Sequence, residues 1–249
     1  MSDCQAGFKS LGVEEMNSIN WLERINKSIE TGEFSKLRDV VKLFKELKSE
    51  GKVNLHVFIL ASRGGVDSYL DHLYAFLKVT KDYGVKAFVH LFSDGQDVPP
   101  KQFLNDLSEI EQQIKENNSV LASISGRHYA MDRSKNWNKT ERVLKAFVKQ
   151  ADTTVFKSAT EYVKNQYESV SDENIVPAIS EEYATTSGLV ERDFLVNLNF
   201  RYYGTRQLCH LLVGSGELYE HSSKLTPDNL SLYAMTDDPR MFLSGVFFR

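Results

Sequence analysis

The sequence predicts an α/β fold: a single domain in three layers, with a mostly parallel sheet covered by helices on both faces. Three observations predict it. Short apolar runs of strand length alternate with stretches whose apolar residues recur at helical spacing. The runs lack polar alternation, as strands buried on both faces should. Glycines and polar clusters mark the joins between the two patterns. Repeated strand–helix–strand units imply right-handed crossovers and therefore parallel pairing.

The elements follow in order. Leu37, Val40, Val41, Phe44 and Leu47 share one helical face, lysines occupy the other, and Gly51 stands where that helix should stop. Leu55 to Leu60 reads as a buried strand, followed by a Gly64-Gly65 loop. Val66, Leu70, Leu73, Phe76 and Leu77 mark a helix ending before Gly84. Ala87 to Phe92 is the next strand. Pro99-Pro100 then opens a helix with Leu104, Leu107, Ile110 and Ile114 on its buried stripe, since proline suits a first turn. Val120 to Ile124 is a third strand, and Trp137, Val143, Leu144 and Phe147 mark a third helix in this alternation. Phe194 to Leu198 and Leu230 to Met235 are further strands, while Lys164 to Arg192 is the least patterned stretch and is expected to hold long loops. The expected domain runs over 21–249, with residues 1–20 as a loosely attached N-terminal extension.

Composition narrows the function. A length of 249 residues with 41% hydrophobic and 26% charged residues suits one domain with a sizeable core. Fourteen Gly and five Pro are too few for a linker-rich chain. Thirty basic against 34 acidic residues, net -4, excludes a broadly cationic nucleic-acid binder but not a local basic pocket. Two cysteines, Cys4 and Cys209, build neither a disulfide framework nor a four-thiolate zinc site, so a reduced cytoplasmic setting is expected. The N-terminus does not read as a secretory signal, and no run approaches the ~18–20 apolar residues that span a bilayer, so no membrane partner is expected.

The unusual polar residues fall directly after strands. Ser62-Arg63-Gly64-Gly65 follows the first, Asp94-Gly95-Gln96-Asp97 the second, Ser125 to Arg133 the third and Asn199-Phe200-Arg201 the fourth. Ligands of open parallel sheets bind at the carboxyl ends of strands. Arg63, Arg127, Arg133 and Arg201 would converge there, and the guanidinium fork suits phosphate and carboxylate oxygens. Two readings stay open: a small phosphorylated or carboxylated metabolite as ligand, or arginines that pair with Asp94, Asp97 and Asp132 to staple the loops. Asp71-His72 and Cys209-His210 are better explained as structural residues than as metal ligands or a nucleophile. There is neither a Gly-x-Ser-x-Gly elbow nor a P-loop.

Taken together, these motifs resemble the cofactor-independent (2,3-bisphosphoglycerate-independent) phosphoglycerate mutases. Ser62 to Leu73 is similar to the family's SDGGVHSHxxHL segment, Asp94 to Pro100 to DGRDVPP, Ser125 to Arg133 to SGRYYAMDR, and Asn199-Phe200-Arg201 to the start of NFRxDR. Leu22 to Ile29 with Gly32-Glu33-Phe34, and Ala234 to Asp237, match at the two ends, so the resemblance covers about residues 20 to 245.

The resemblance implies a two-domain enzyme of which this chain is the inserted substrate-binding domain. The other domain, with two manganese ions and a serine nucleophile, has no counterpart here. No cofactor or metal ligand is therefore expected in this chain, and a phosphatase-like domain is implied as partner, in cis or in trans. The resemblance gives Asp97 a part in proton transfer and makes Arg127, Arg133, Arg201, Ser62, Arg63, Asp67, Gln96 and Arg206 the candidate substrate-binding set.

Several of these positions depart from the family pattern. Asp67 stands where the motif has histidine, Gln96 where it has arginine, Arg63 where it has aspartate, and Gly204 where a second arginine is expected; Arg206 lies nearby. A hydrogen bond to a charged group contributes about 1.5–3 kcal/mol, so two absent arginines weaken anion binding by roughly 3–6 kcal/mol. A like charge at ~4 Å adds repulsion on the order of 4 kcal/mol at an effective dielectric near 20. The isolated chain is expected to be inactive as a mutase, with a divergent, non-catalytic binding module as the alternative.

Overall fold

The computed structural model describes residues 20–214 and 224–249. The expected N-terminal extension, with Cys4, lies outside the described residues except for Asn20. Asn20 caps helix α1 (Trp21–Glu30), its side chain accepting the Glu23 N–H at 3.3 Å. Helix α2 (Arg38–Glu50) buries Val40, Leu43, Phe44 and Leu47 and stops at Gly51, as the apolar spacing predicts.

Three strands and three helices then alternate: β1 (Leu55–Ala61), α3 (Leu70–Asp82), β2 (Ala87–Ser93), α4 (Gln102–Glu116), β3 (Val120–Gly126) and α5 (Arg127–Ala130). Next come α6 (Trp137–Phe147), β4 (Thr154–Phe156), α7 (Ala159–Gln166), β5 (Ala178–Ser180), α8 (Glu181–Ala184), β6 (Phe194–Asn197), α9 (Arg206–Val213), β7 (Ser231–Thr236) and β8 (Gly245–Phe248).

Among the described residues the strands form one sheet in the order β4-β5-β3-β2-β1-β6-β7-β8. Every pairing is parallel except that of β3 with β5. Strand β1 is flanked by β2 on one side and β6 on the other, so the order reverses at β1. A crevice for ligands opens at such a switch point, outside the carboxyl ends of the strands.

The alternation of side chains along β1 shows the layers. Val57 and Ile59 pack with Phe44 of α2 and Leu73 and Phe76 of α3. Phe58 and Leu60 point the other way, onto Val143 and Phe147 of α6 and Leu208 and Leu212 of α9. Helices thus cover both faces, and each fully buried Leu or Phe adds about 1.5–3 kcal/mol of apolar burial.

Three local expectations are corrected, and two strands are added. Helix α3 begins at Leu70 rather than Val66: Tyr69 is extended, and the Ser68 hydroxyl turns back onto the Leu60 carbonyl at 2.5 Å. Pro99-Pro100 lies before α4 and does not open it, because Lys101, in the left-handed region at φ 68°, intervenes. The stretch from 164 to 192 holds the end of α7, a short 3-10 turn at Asp172–Asn174, β5 and α8 as well as loops. Strands β4 and β8 are additions to the elements the sequence pattern shows.

Candidate functional site

The site forms where β1, β2, β3 and β6 end. Asp94, immediately after β2, is buried and accepts from four donors. The Ser62 hydroxyl beyond β1 donates to Asp94 Oδ2 at 2.6 Å, and the Gln96 and Asp97 backbone N–H groups donate to Oδ1 at 3.1 and 3.2 Å. The fourth donor is Arg127 Nη1. These bonds satisfy the carboxylate and fix the β2 loop against the β1 loop.

Arg127 begins the turn after β3 and is the hub of the cluster. Its Nη1 also donates to Asp97 Oδ2 at 2.8 Å, and its Nη2 donates to Asp67 Oδ2 at 3.0 Å. The Arg127 side chain is only 7% exposed. Burial opposes its charge, but the hydrogen bonds and charges of Asp97 and Asp94 outweigh that, and its pKa lies above the ordinary value. Burial raises the pKa of Asp67; the pull of Arg127 opposes this, Asp97 pushes it further up, and the net direction is upward.

The β6 loop completes the site. Asn199 Oδ1 accepts the Leu60 N–H at 2.9 Å, locking the loop onto β1. The Phe200 and Arg201 N–H groups both donate to the Asp67 carbonyl, at 3.0 and 3.2 Å, and the Thr236 hydroxyl donates to the Phe200 carbonyl at 2.8 Å. The half-buried Arg201 and the exposed Arg133 lie close enough to Asp67 to lower its pKa. Neither makes an ion pair among the described residues. The cluster therefore opposes three guanidinium groups to three carboxylates.

The structure brings Ser62, Asp67, Asp97, Arg127, Arg133 and Arg201 together. Arg63 turns instead to α4, where Nε donates to Asp106 at 3.2 Å and Nη2 to Glu109 at 2.7 Å. Arg206 forms a fork with Asp238 at 2.9 and 3.3 Å and stacks on Tyr202 and Tyr203, its carbon 4.9 and 5.0 Å from their centroids. Gln96 donates to Glu173 at 3.0 Å on the outer side of the β2 loop. A side chain added at Gly204 would meet the end of Met131, whose thioether methyl fills that space.

Sequence reading left Asp94 out of the candidate set, although its place after an apolar strand and before glycine was a signal. It also missed Asp172 and Glu173, which back the site. Gly126 has room only for hydrogen, because an added Cβ would sit 2.2 Å from the Glu173 carbonyl oxygen. Gly95, at φ 77°, would likewise press Asp172 Cβ at 2.9 Å.

His72 is structural: it is buried, Nε2 meets Asn26 Oδ1 at 2.9 Å, and burial pushes its pKa down to about 4. Cys209 is buried, and desolvation pushes its thiol up to about 12. No group of His, Cys, Asp and Glu among the described residues gathers as metal ligands. The three carboxylates of the cluster converge on a guanidinium, so they do not fit manganese. Among the described residues no helix is long and apolar enough to cross a membrane.

Comparison with known proteins agrees with this architecture. Residues 25–237 match the family model described as the BPG-independent PGAM N-terminus. The chain is 35% identical over 228 residues to the 2,3-bisphosphoglycerate-independent phosphoglycerate mutase of Mycoplasma mobile, covering 90% of this chain and 44% of that protein. It is 34% identical over 240 residues to the enzyme of the same name from Listeria innocua, covering 95% of this chain and 46% of that protein. A crystal structure of Leishmania mexicana phosphoglycerate mutase at low cobalt concentration shares the fold, with a TM-score of 0.75 at 23% identity over 90% of this chain and 44% of that one. The chain thus spans less than half the length of the relatives it matches. With its strand order, its polar strand-end loops and a family match across most of its length, the chain belongs to the BPG-independent phosphoglycerate mutase family and corresponds to that family's N-terminal domain.

Proposed function

We propose that this chain is the substrate-recognition half of a phosphoglycerate mutase-type isomerase, with an anion-binding site at the β1/β6 switch point and no turnover of its own. The observation that carries the reading is the buried Arg127 guanidinium, set at the strand ends beside two further arginines, Arg133 and Arg201, that have no ion-pair partner among the described residues. Arginines so placed suit the carboxylate and phosphoryl oxygens of 3-phosphoglycerate or 2-phosphoglycerate.

Arg201 and Arg133 would hold the ligand's charge. Asp97, held by Arg127 and joined through its backbone to Asp94, would exchange a proton with a ligand hydroxyl. Phosphoryl transfer itself needs a nucleophile and metal charge, and both would come from a phosphatase-like domain in cis or in trans. The reaction belongs to glycolysis, and a cytoplasmic setting suits a chain with only two cysteines.

A coupled assay from 3-phosphoglycerate to 2-phosphoglycerate, run on the isolated chain with manganese, tests this. The expected result is no turnover above the blank, with activity appearing only when a metal-binding domain of the family is added. Manganese-dependent turnover by the chain alone would overturn the reading. One observation favours a second reading, a non-catalytic module for another metabolite or a protein partner: Arg127 already pairs with Asp67, Asp94 and Asp97. On that reading 3-phosphoglycerate leaves the melting temperature of the parent chain unchanged even when the metal-binding domain is present.

A further inference from the structure

We propose that Asp67 is a built-in anion: its carboxylate takes the face of Arg127 that a ligand's phosphate or carboxylate would take, and so sets which charge class the site accepts. The proposal rests on the strand-end cluster being the ligand site.

The three carboxylates on Arg127 are not equivalent. Asp94 is 1% exposed and is held by Ser62 and two backbone N–H groups besides Arg127. Asp97 belongs to the same closed loop and shares Nη1 with Asp94. Asp67 alone takes Nη2, and Arg127 is the only hydrogen-bond partner of its carboxylate among the described residues. Arg201 and Arg133, which make no ion pair among the described residues, lie within electrostatic reach of the same carboxylate.

A negative group is therefore already seated on Arg127, within electrostatic reach of Arg201 and Arg133. An incoming phosphate must either displace that carboxylate or lie against it, and like charges in a half-buried site repel. The backbone that carries Asp67 is pinned, because its carbonyl accepts from both Phe200 and Arg201, so the side chain cannot leave by moving the loop. As the chain stands, the Nη2 face of Arg127 accepts a hydroxyl or another uncharged polar group more readily than an anion, which leaves a ligand's charge to Arg201 and Arg133. Discrimination here comes from an element that repels the wrong ligand.

The test is calorimetric titration with 3-phosphoglycerate of the parent chain, Asp67→Asn, Asp67→His, Arg201→Gln and the double variant Asp67→Asn/Arg201→Gln. Thermal melts verify that each is folded, and Asp67→Ser supplies the same charge removal if the amide is not tolerated. The expected result is binding at least tenfold tighter in Asp67→Asn and Asp67→His than in the parent, with the gain lost in the double variant. If the parent already binds in an Arg201-dependent way and the single variants match it within twofold, the ligand site stands but Asp67 does not govern it. A gain that survives the loss of Arg201 also overturns the proposal. If no variant binds, the reading of the cluster as an anion site falls, and the proposal falls with it.

Discussion

Asp94 and Arg127 form a buried ion pair, and the loops around it add the hydrogen bonds of Ser62, Gln96, Asp97 and Asp67. Removing one partner of such a pair leaves an uncompensated buried charge and costs about 3–5 kcal/mol. Arg127→Met should therefore lower stability by that amount, read as a shift of the urea unfolding midpoint, whereas Arg133→Met, on an exposed residue, should change it by less than about 0.5 kcal/mol. Equal effects would mean that Arg127 is not the electrostatic centre of the strand ends. At this scale the sequence revealed positions but not partners. The site residues stand directly after apolar strands and are legible for that reason. That Arg63 reaches Asp106, 43 residues on, and Arg206 reaches Asp238, 32 residues on, depends on where helices and loops pack. No local pattern carries that information.

Elements were legible in proportion to their length and burial. Strands β1, β2 and β3 are seven residues each and nearly continuous in burial, so their apolar runs stand out. Strands β4 and β5 have three residues, and β4 is largely exposed, so periodicity has nothing to grip. The antiparallel β5 and the 3-10 turn at Asp172–Asn174 nevertheless matter, because that segment packs on both Gly95 and Gly126 of the site. The Gly126 N–H also donates to the Ile175 carbonyl at 2.7 Å. Gly126→Ala should push this segment off β3 and destabilise the protein by about 1–3 kcal/mol, the range for overpacking. Thermal melts check this; a melting temperature unchanged from the parent would show that the segment yields freely.

The whole molecule carries a pH dependence unrelated to the site. His56 and His90 are fully buried on neighbouring strands, with His56 Nδ1 and His90 Nε2 3.0 Å apart and His90 Nδ1 2.7 Å from the Ser123 hydroxyl. Burial lowers the pKa of both, as it does for His72, so all three are neutral in the fold. The unfolded chain binds protons on these residues near pH 6.5 and the folded chain does not. Stability is therefore full above about pH 6.5 and falls as the pH drops below it. His72 alone, with its pKa pushed down to about 4, contributes a loss of about 2 kcal/mol between pH 7.5 and 5. Urea midpoints at pH 7.5 and 5 in the parent and in His72→Gln measure this, and the variant should lose less. Equal losses would place the effect elsewhere. The fold class and sheet direction were legible at this scale because every long element repeats one pattern. The buried histidine pair was not, since β1 and β2 read as apolar runs that simply tolerate one imidazole each.

The measurement that bears most directly on the central claim is an amide NMR titration of Asp67→Asn with 3-phosphoglycerate. Perturbed resonances should cluster at residues 62–67, 94–97, 126–133 and 199–201, the four loops at the carboxyl ends of β1, β2, β3 and β6. A second surface, lined by Lys36, Arg38, Lys42, Lys45 and Arg249 together with Asp39 and Glu46, provides the contrast within the same molecule. Perturbations confined to that surface, or none at any loop, would contradict the assignment of the strand ends as the ligand site.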